Sequence, residues 1–222
     1  NVEIPEIKTS KPPTRAKVYF IDIPGAKQSA ITLGSLSIPG GNPELYKYSV
    51  VNNRLGGGME ARLMRTLRLE KGYTYGAGSF YRENSYQTPF YAYSQVRSNV
   101  TLESLEIFKN IINGYAKSYN SEDLELTKNK LIKQNALRFE RLGSLLNMLD
   151  TISKFNFPDT YIQRQQDVLT SMSLEEAQSI AESQFNADKM YFVVAGDAKT
   201  QLSRIKELGY GNPIMLDREG NR

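Results

Sequence analysis

Leu67-Arg-Leu-Glu-Lys-Gly-Tyr-Thr-Tyr-Gly-Ala77 passes from one kind of backbone to another within a single short stretch. Before it, Met59–Leu69 favours helix, and Gly72 is the punctuation expected where a helix ends. After it, Tyr73–Tyr81 alternates as a strand does. A second alternating segment, Gln87–Val96, puts Phe90, Ala92, Ser94 and Val96 on one face and Tyr91, Tyr93, Gln95 and Arg97 on the other. Half of that ribbon is expected to be wet or covered by a partner. Upstream, Lys17–Pro24 and Gln28–Ile38 are rich in Val, Ile, Phe, Tyr and Thr and read as strands joined by a turn at Pro24-Gly25. Between those strands and the opening stretch, Pro43–Arg68 favours helix and is broken by Gly56-Gly57-Gly58.

The second half is helical. Leu102, Leu105, Phe108, Ile112, Tyr115 and Tyr119 form one amphipathic stripe, and Ile132, Ala136, Phe139, Leu142, Leu146 and Leu149 form another. Pro158 begins a further helix, and Ser173-Leu-Glu-Glu176 has the capping-box pattern. Met190–Ala195 is a continuous apolar run that predicts a central strand buried on both faces, and Thr200–Leu208 is a short last helix before a Gly/Pro/Asp tail. The order predicts an α+β fold, a single antiparallel or mixed sheet with helices packed on one face. Residues 1–14 have the Pro-punctuated composition of a linker from an upstream domain, which leaves 15–222 as one domain.

The 222 residues include no His, no Cys and no Trp. A Ser-His-Asp triad, a cysteine nucleophile, a disulfide framework and the usual His/Cys zinc sites are therefore excluded within this chain. Any histidine-dependent chemistry must draw its histidine from elsewhere. The formal charge of +4 is a mild bias, and no stretch approaches the ~18 apolar residues of a membrane span.

Three features bear on chemistry. Gly56–Gly58 ahead of a helix invites a phosphate-loop reading, but neither the Walker pattern nor Gly-x-Gly-x-x-Gly is met, and a tight helix–helix connection explains the glycines. Tyr73, Tyr75, Phe80, Tyr81, Tyr86, Phe90, Tyr91 and Tyr93 crowd a short region beside Arg62, Arg65, Arg68, Lys71, Arg82 and Arg97, as a single-strand stacking platform would. Tyrosine also simply suits half-buried strands, and the small net charge argues against nucleic acid. Finally, Arg68 and Tyr75 flank the turn at Gly72. A guanidinium and a phenol O–H are both donors, suited to a peptide carbonyl or the oxyanion it becomes on attack. The alternative is an Arg68 paired with a surface carboxylate and a Tyr75 that packs.

These residues resemble a known family. The Val18-Tyr-Phe-Ile-Asp-Ile-Pro-Gly25 entry, Gln28-Ser-Ala-Ile31, Leu67-Arg68 with Glu-Lys-Gly-Tyr-Thr-Tyr-Gly76, Val193-Val-Ala-Gly-Asp197 and the Asp217-Arg-Glu-Gly220 tail occur in the order found in the non-catalytic C-terminal half of pitrilysin-type zinc metallopeptidases (inverzincins). The likeness is nearest to the bacterial members akin to mitochondrial processing peptidase, with a LuxS/processing-peptidase-like half. It implies no catalytic residues and no metal in this chain. Zinc and H-x-x-E-H would lie on a partner catalytic domain, in the same polypeptide or a separate subunit. Arg68 and Tyr75, with Tyr73 on the same strand face as rival for the phenol role, would bind unfolded peptide substrates and stabilise the tetrahedral intermediate. The resemblance also implies a periplasmic or secreted bacterial setting and allows an oligomer. Some relatives are silent scaffold subunits, which is the competing implication. The chain departs from the family in its Gly56–Gly58 loop and in Arg68-Leu-Glu-Lys71, where Arg-Glu-Lys is usual.

Overall fold

A computed structural model describes residues 8–222. Six strands, β1 (Lys17–Asp22), β2 (Gln28–Ser37), β3 (Thr74–Tyr81), β4 (Thr88–Arg97), β5 (Tyr191–Gly196) and β6 (Ile214–Leu216), make one mixed sheet. Their order is β3-β4-β2-β5-β1-β6. The β3-β4-β2-β5 part is antiparallel, and β1 runs parallel to both β5 and β6.

Alternation along each strand sets the layers. Val18 and Phe20, Ile31 and Leu33, Phe90, Ala92 and Val96, and Phe192 and Val194 are all buried. They form a single core with the helices, while the opposite sheet face carries no helix among the described residues. The helices are α1 (Leu45–Gly56), α2 (Arg62–Met64, continuing as a π-helical turn over Arg65–Glu70), α3 (Thr101–Ser118), α4 (Ser121–Arg138), α5 (Leu142–Phe155), α6 (Tyr161–Ser171), α7 (Leu174–Gln184) and α8 (Ala198–Ile205). The architecture is α+β with helices on one face, as expected.

The α3 stripe is buried as its spacing predicts, with Leu105, Phe108, Ile112 and Tyr115 fully enclosed. Asn120 caps α4 in a reciprocal capping box with Asp123, which the sequence reading missed. Ser173 caps α7 by accepting the Glu176 N–H at 3.1 Å.

Four expectations need correction. The Pro24-Gly25 turn does not join a hairpin, because β5 lies between β1 and β2. That same strand is buried on one face only: Tyr191 is exposed, since its outer face belongs to the helix-free side of the sheet. The Gly/Pro/Asp tail contains β6, too short to register as a strand by pattern. The second apolar stripe does not form one helix face. The chain leaves helix between Arg138 and Leu142, and Leu142, Leu146 and Leu149 are 84%, 65% and 60% exposed. Of the proposed linker, residues 1–7 lie outside the described residues. Residues 8–14 carry no helix or strand.

Candidate functional site

The site begins where α2 gives way to a wider turn. Lys71 N–H donates to Thr66 O at 3.0 Å, an i→i+5 bond, and Tyr73 N–H reaches back to Leu67 O at 2.8 Å. Gly72 sits at φ +62° with open space where a side chain would be, so glycine is used here for its backbone freedom. Leu67, fully buried, anchors this turn, and its neighbour Arg68 is left half-buried at the rim. Behind it, Asp123 is buried and accepts from Arg54 Nε at 3.0 Å and Arg62 Nη2 at 2.5 Å. The Arg62 guanidinium lies 4.7 Å from the centre of the Tyr115 ring. This pairing ties α1, α2 and α4 together and fixes the segment that presents Arg68.

Across Gly72, β3 opens with a bulge. Thr74 is opposite Val96 and Ala77 opposite Ser94, so Tyr75 and Gly76 share the single partner Gln95. Side-chain hydroxyls replace the lost ladder bonds. Thr74 Oγ1 donates to Gln95 O at 2.6 Å and accepts from Gly76 N–H at 3.0 Å, and Ser94 Oγ donates to Gly76 O at 3.0 Å. The extra residue drives Tyr75 outward to 90% exposure.

Arg68, Tyr73 and Tyr75 border one cleft of about 360 Å³ together with Gln28, Gln95 and Arg97. Tyr75 also borders the adjoining hollow that reaches Thr32 and Tyr93. Arg68 has no carboxylate partner among the described residues. Its Nη1 lies 3.6 Å from Met59 Sδ, while the nearby Glu70 is taken by Arg65 at 3.0 Å. The arrangement differs from the alternative in which Arg68 is paired and Tyr75 packed. Tyr73 immediately precedes β3, packs partly against the core and borders the same cleft as the far more exposed Tyr75. Gln28, Gln95 and Arg97 were not singled out as site residues. The register of β2, β3 and β4 brings them in, and no local signal marks them.

The chemistry available is hydrogen-bond donation with positive charge, from Arg68, Arg97 and the phenols. Among the described residues no group of His, Cys, Asp or Glu could hold a metal ion. No helix among them is long and apolar enough to cross a membrane.

With the mixed sheet, its one helical layer and this cleft in view, comparison with known proteins places the fold. The chain belongs to the family described as the peptidase M16 inactive domain, whose model matches residues 1–131. Among curated proteins it is 24% identical over 159 residues to the "Non-peptidase homolog YmxG" of Helicobacter pylori, covering 70% of this chain and 36% of that protein. Among solved structures it is similar to a peptidase M16 inactive domain from Pseudomonas fluorescens, with TM-score 0.78, 23% identity, and coverage of 87% of this chain and 46% of that one. A protease from Helicobacter pylori gives TM-score 0.76 at 15% identity, covering 88% of this chain and 48% of that one. The chain thus spans about a third of the curated relative's length and just under half of these two solved chains.

Proposed function

We propose that this inactive domain is the non-catalytic half of a zinc-dependent endopeptidase. It closes over the zinc site of a separate H-x-x-E-H domain, in the same polypeptide or on another subunit. The observation that carries this reading is the pair Arg68 and Tyr75, which border one cleft with no oxygen acceptor recorded for either side chain among the described residues, Arg68 meeting only the weakly accepting sulfur of Met59. Donors kept free in this way suit a carbonyl oxygen whose negative charge grows during attack on the peptide bond. Zinc and the water-activating glutamate belong to the partner, since this chain has no His or Cys to hold the metal. The work of this half is to orient an unfolded peptide and stabilise the oxyanion, with no proton transfer of its own. Residues 1–14 serve as the connector to an upstream domain, and the setting is the periplasm or the outside of a bacterial cell.

The test is cleavage of a quenched fluorogenic peptide by the full protein, with and without a chelator. Wild type is compared with Tyr75→Phe and Arg68→Ala. Chelator-sensitive cleavage is expected to fall about 10²–10³-fold in each variant. Unchanged rates in both would remove the pair from the site; with Tyr73→Phe run as a third variant, a fall there beside an unchanged Tyr75→Phe would move the phenol role to Tyr73.

A scaffold or interaction subunit of the same fold is the second reading. It is favoured by the curated relative, which is described as a non-peptidase homolog. Absence of cleavage, with no H-x-x-E-H on any partner, would decide for it.

A further inference from the structure

The cleft holds more positive charge than a single oxyanion needs. Arg68 rises from the turn ahead of β3, and Arg97 is the last residue of β4. Both border the same hollow of about 360 Å³, and no Asp or Glu lines it. Backbone pairing fixes Arg97 there. Its N–H donates to Tyr73 O at 3.3 Å, and in the ladder it faces Gln28 on β2. It lies on the sheet face of Gln95, two residues before it, and like Gln95 it is exposed.

Neither cation is neutralised within the chain. Arg65, on the same turn as Arg68, is paired with Glu70 at 3.0 Å, and Arg54 and Arg62 share Asp123. Among the described residues Arg68 and Arg97 form no ion pair. Gln95 is engaged only through its backbone, which leaves its side-chain amide open to the cleft. Two cations brought to one hollow with nothing opposite them repel, and an anion between them reverses the sign of the interaction.

The oxyanion reading uses Arg68 and Tyr75 and leaves the charge of Arg97 over. Tyr75 stands on the bulge opposite Gln95, and Arg97 is two residues farther along β4. At roughly 3.4 Å per strand residue the two points are about 7 Å apart, the span of two residues in an extended peptide.

We propose that Arg97 is a specificity-determining residue, which receives an Asp or Glu side chain of the substrate two places from the bond that Arg68 and Tyr75 serve. The inference rests on the functional reading above and adds the side chain that the site selects. A guanidinium suits this task because its fork of N–H donors meets both carboxylate oxygens at once. The Gln28 and Gln95 amides border the same cleft and offer further N–H groups. A Lys or Arg side chain at that place meets like charge instead.

The test uses the full protein with a chelator present, so that peptides are bound but not cut. Dye-labelled peptides with amidated C-termini carry one Glu, Gln or Lys at the same central position of an otherwise uncharged sequence, and fluorescence anisotropy reads their affinity. The Glu peptide is expected to bind about fivefold more tightly than the Gln peptide, with the Lys peptide weakest and the Glu advantage shrinking as salt is raised. Arg97→Gln should cut that advantage below about twofold and Arg97→Lys should keep part of it, both with an unchanged thermal midpoint. Equal binding of the Glu and Gln peptides, tightest binding of the Lys peptide, or an advantage that survives Arg97→Gln would overturn the proposal. So would a Gln peptide with a free C-terminal carboxylate that outbinds the Glu peptide, since the subsite would then belong to a chain end. Should Arg97→Gln fail to fold, Arg97→Lys and the peptide series on wild type still decide. Because the readout is binding without cleavage, loss of the Glu advantage leaves the cleavage test intact, and unchanged cleavage by Tyr75→Phe leaves this one intact.

Discussion

A methyl group at Gly56 would sit 2.2 Å from the backbone nitrogen of Ser79 and 2.7 Å from the carbonyl carbon of Gly78. Those atoms belong to β3, the strand that presents Tyr75, and the same contact is held by Asn52. Its Nδ2 donates to Ser79 O at 3.0 Å, and its Oδ1 accepts from Ser79 Oγ at 2.5 Å. Gly56→Ala is therefore expected to destabilise the protein by about 1–3 kcal/mol in urea denaturation. Gly143→Ala, on a helix with open space at that position, should stabilise it by about 0.5–1 kcal/mol. The glycine run was plain in the sequence, but its purpose was not, because the atom that excludes a side chain lies on a distant strand. That Arg68 and Tyr75 could converge was legible from their places on either side of Gly72, and the family resemblance singled them out. Gln28 and Arg97 were not, since only the pairing of β2 with β4 sets them side by side.

At the level of elements, α3 and α5 carry similar apolar periodicity and meet different fates. Leu105 on α3 is fully buried, whereas Leu146 on α5 is 65% exposed. Leu105→Ala should cost about 2–5 kcal/mol and Leu146→Ala less than about 0.5 kcal/mol, read from the same denaturation curves. Periodicity reports which side of a helix is apolar. Whether a neighbour covers that side depends on where the helix is placed, which is why the 132–149 stripe misled. The bulge in β3 was hidden for a related reason: Thr74 and Ser94 supply its substitute bonds only once the two strands are paired.

For the whole molecule, the buried tyrosines set a limit at alkaline pH. Burial pushes the Tyr119 phenol up to about 12, and burial holds Tyr81 and Tyr115 well above the ordinary tyrosine value. The unfolded chain releases these protons near pH 10, while the folded chain keeps them. Stability from this source is complete below about pH 10 and declines above it, by roughly 1.4 kcal/mol per pH unit for each such tyrosine. Urea midpoints followed from pH 9 to 11.5 should fall only in the upper part of that range. The slope should be shallower in Tyr119→Phe. The α+β class and the single helical layer were legible at this scale from the segregation of strands and helices. The strand order was not, because the apolar run at Met190–Ala195 marks a core strand without naming its neighbours.

That strand order has a consequence for how the chain comes together. β1 is the first strand of this sheet to be made, yet both of its partners, β5 and β6, are the last two. Its ladder cannot close until nearly everything between has been synthesised, so the first strand of the sheet is stitched to its neighbours late. Among the described residues β5 is also the only bridge between β1 and the β3-β4-β2 ribbon. The helical middle can collapse early, but the sheet becomes continuous only when this late strand slots into its gap, and start and finish then stand or fall together.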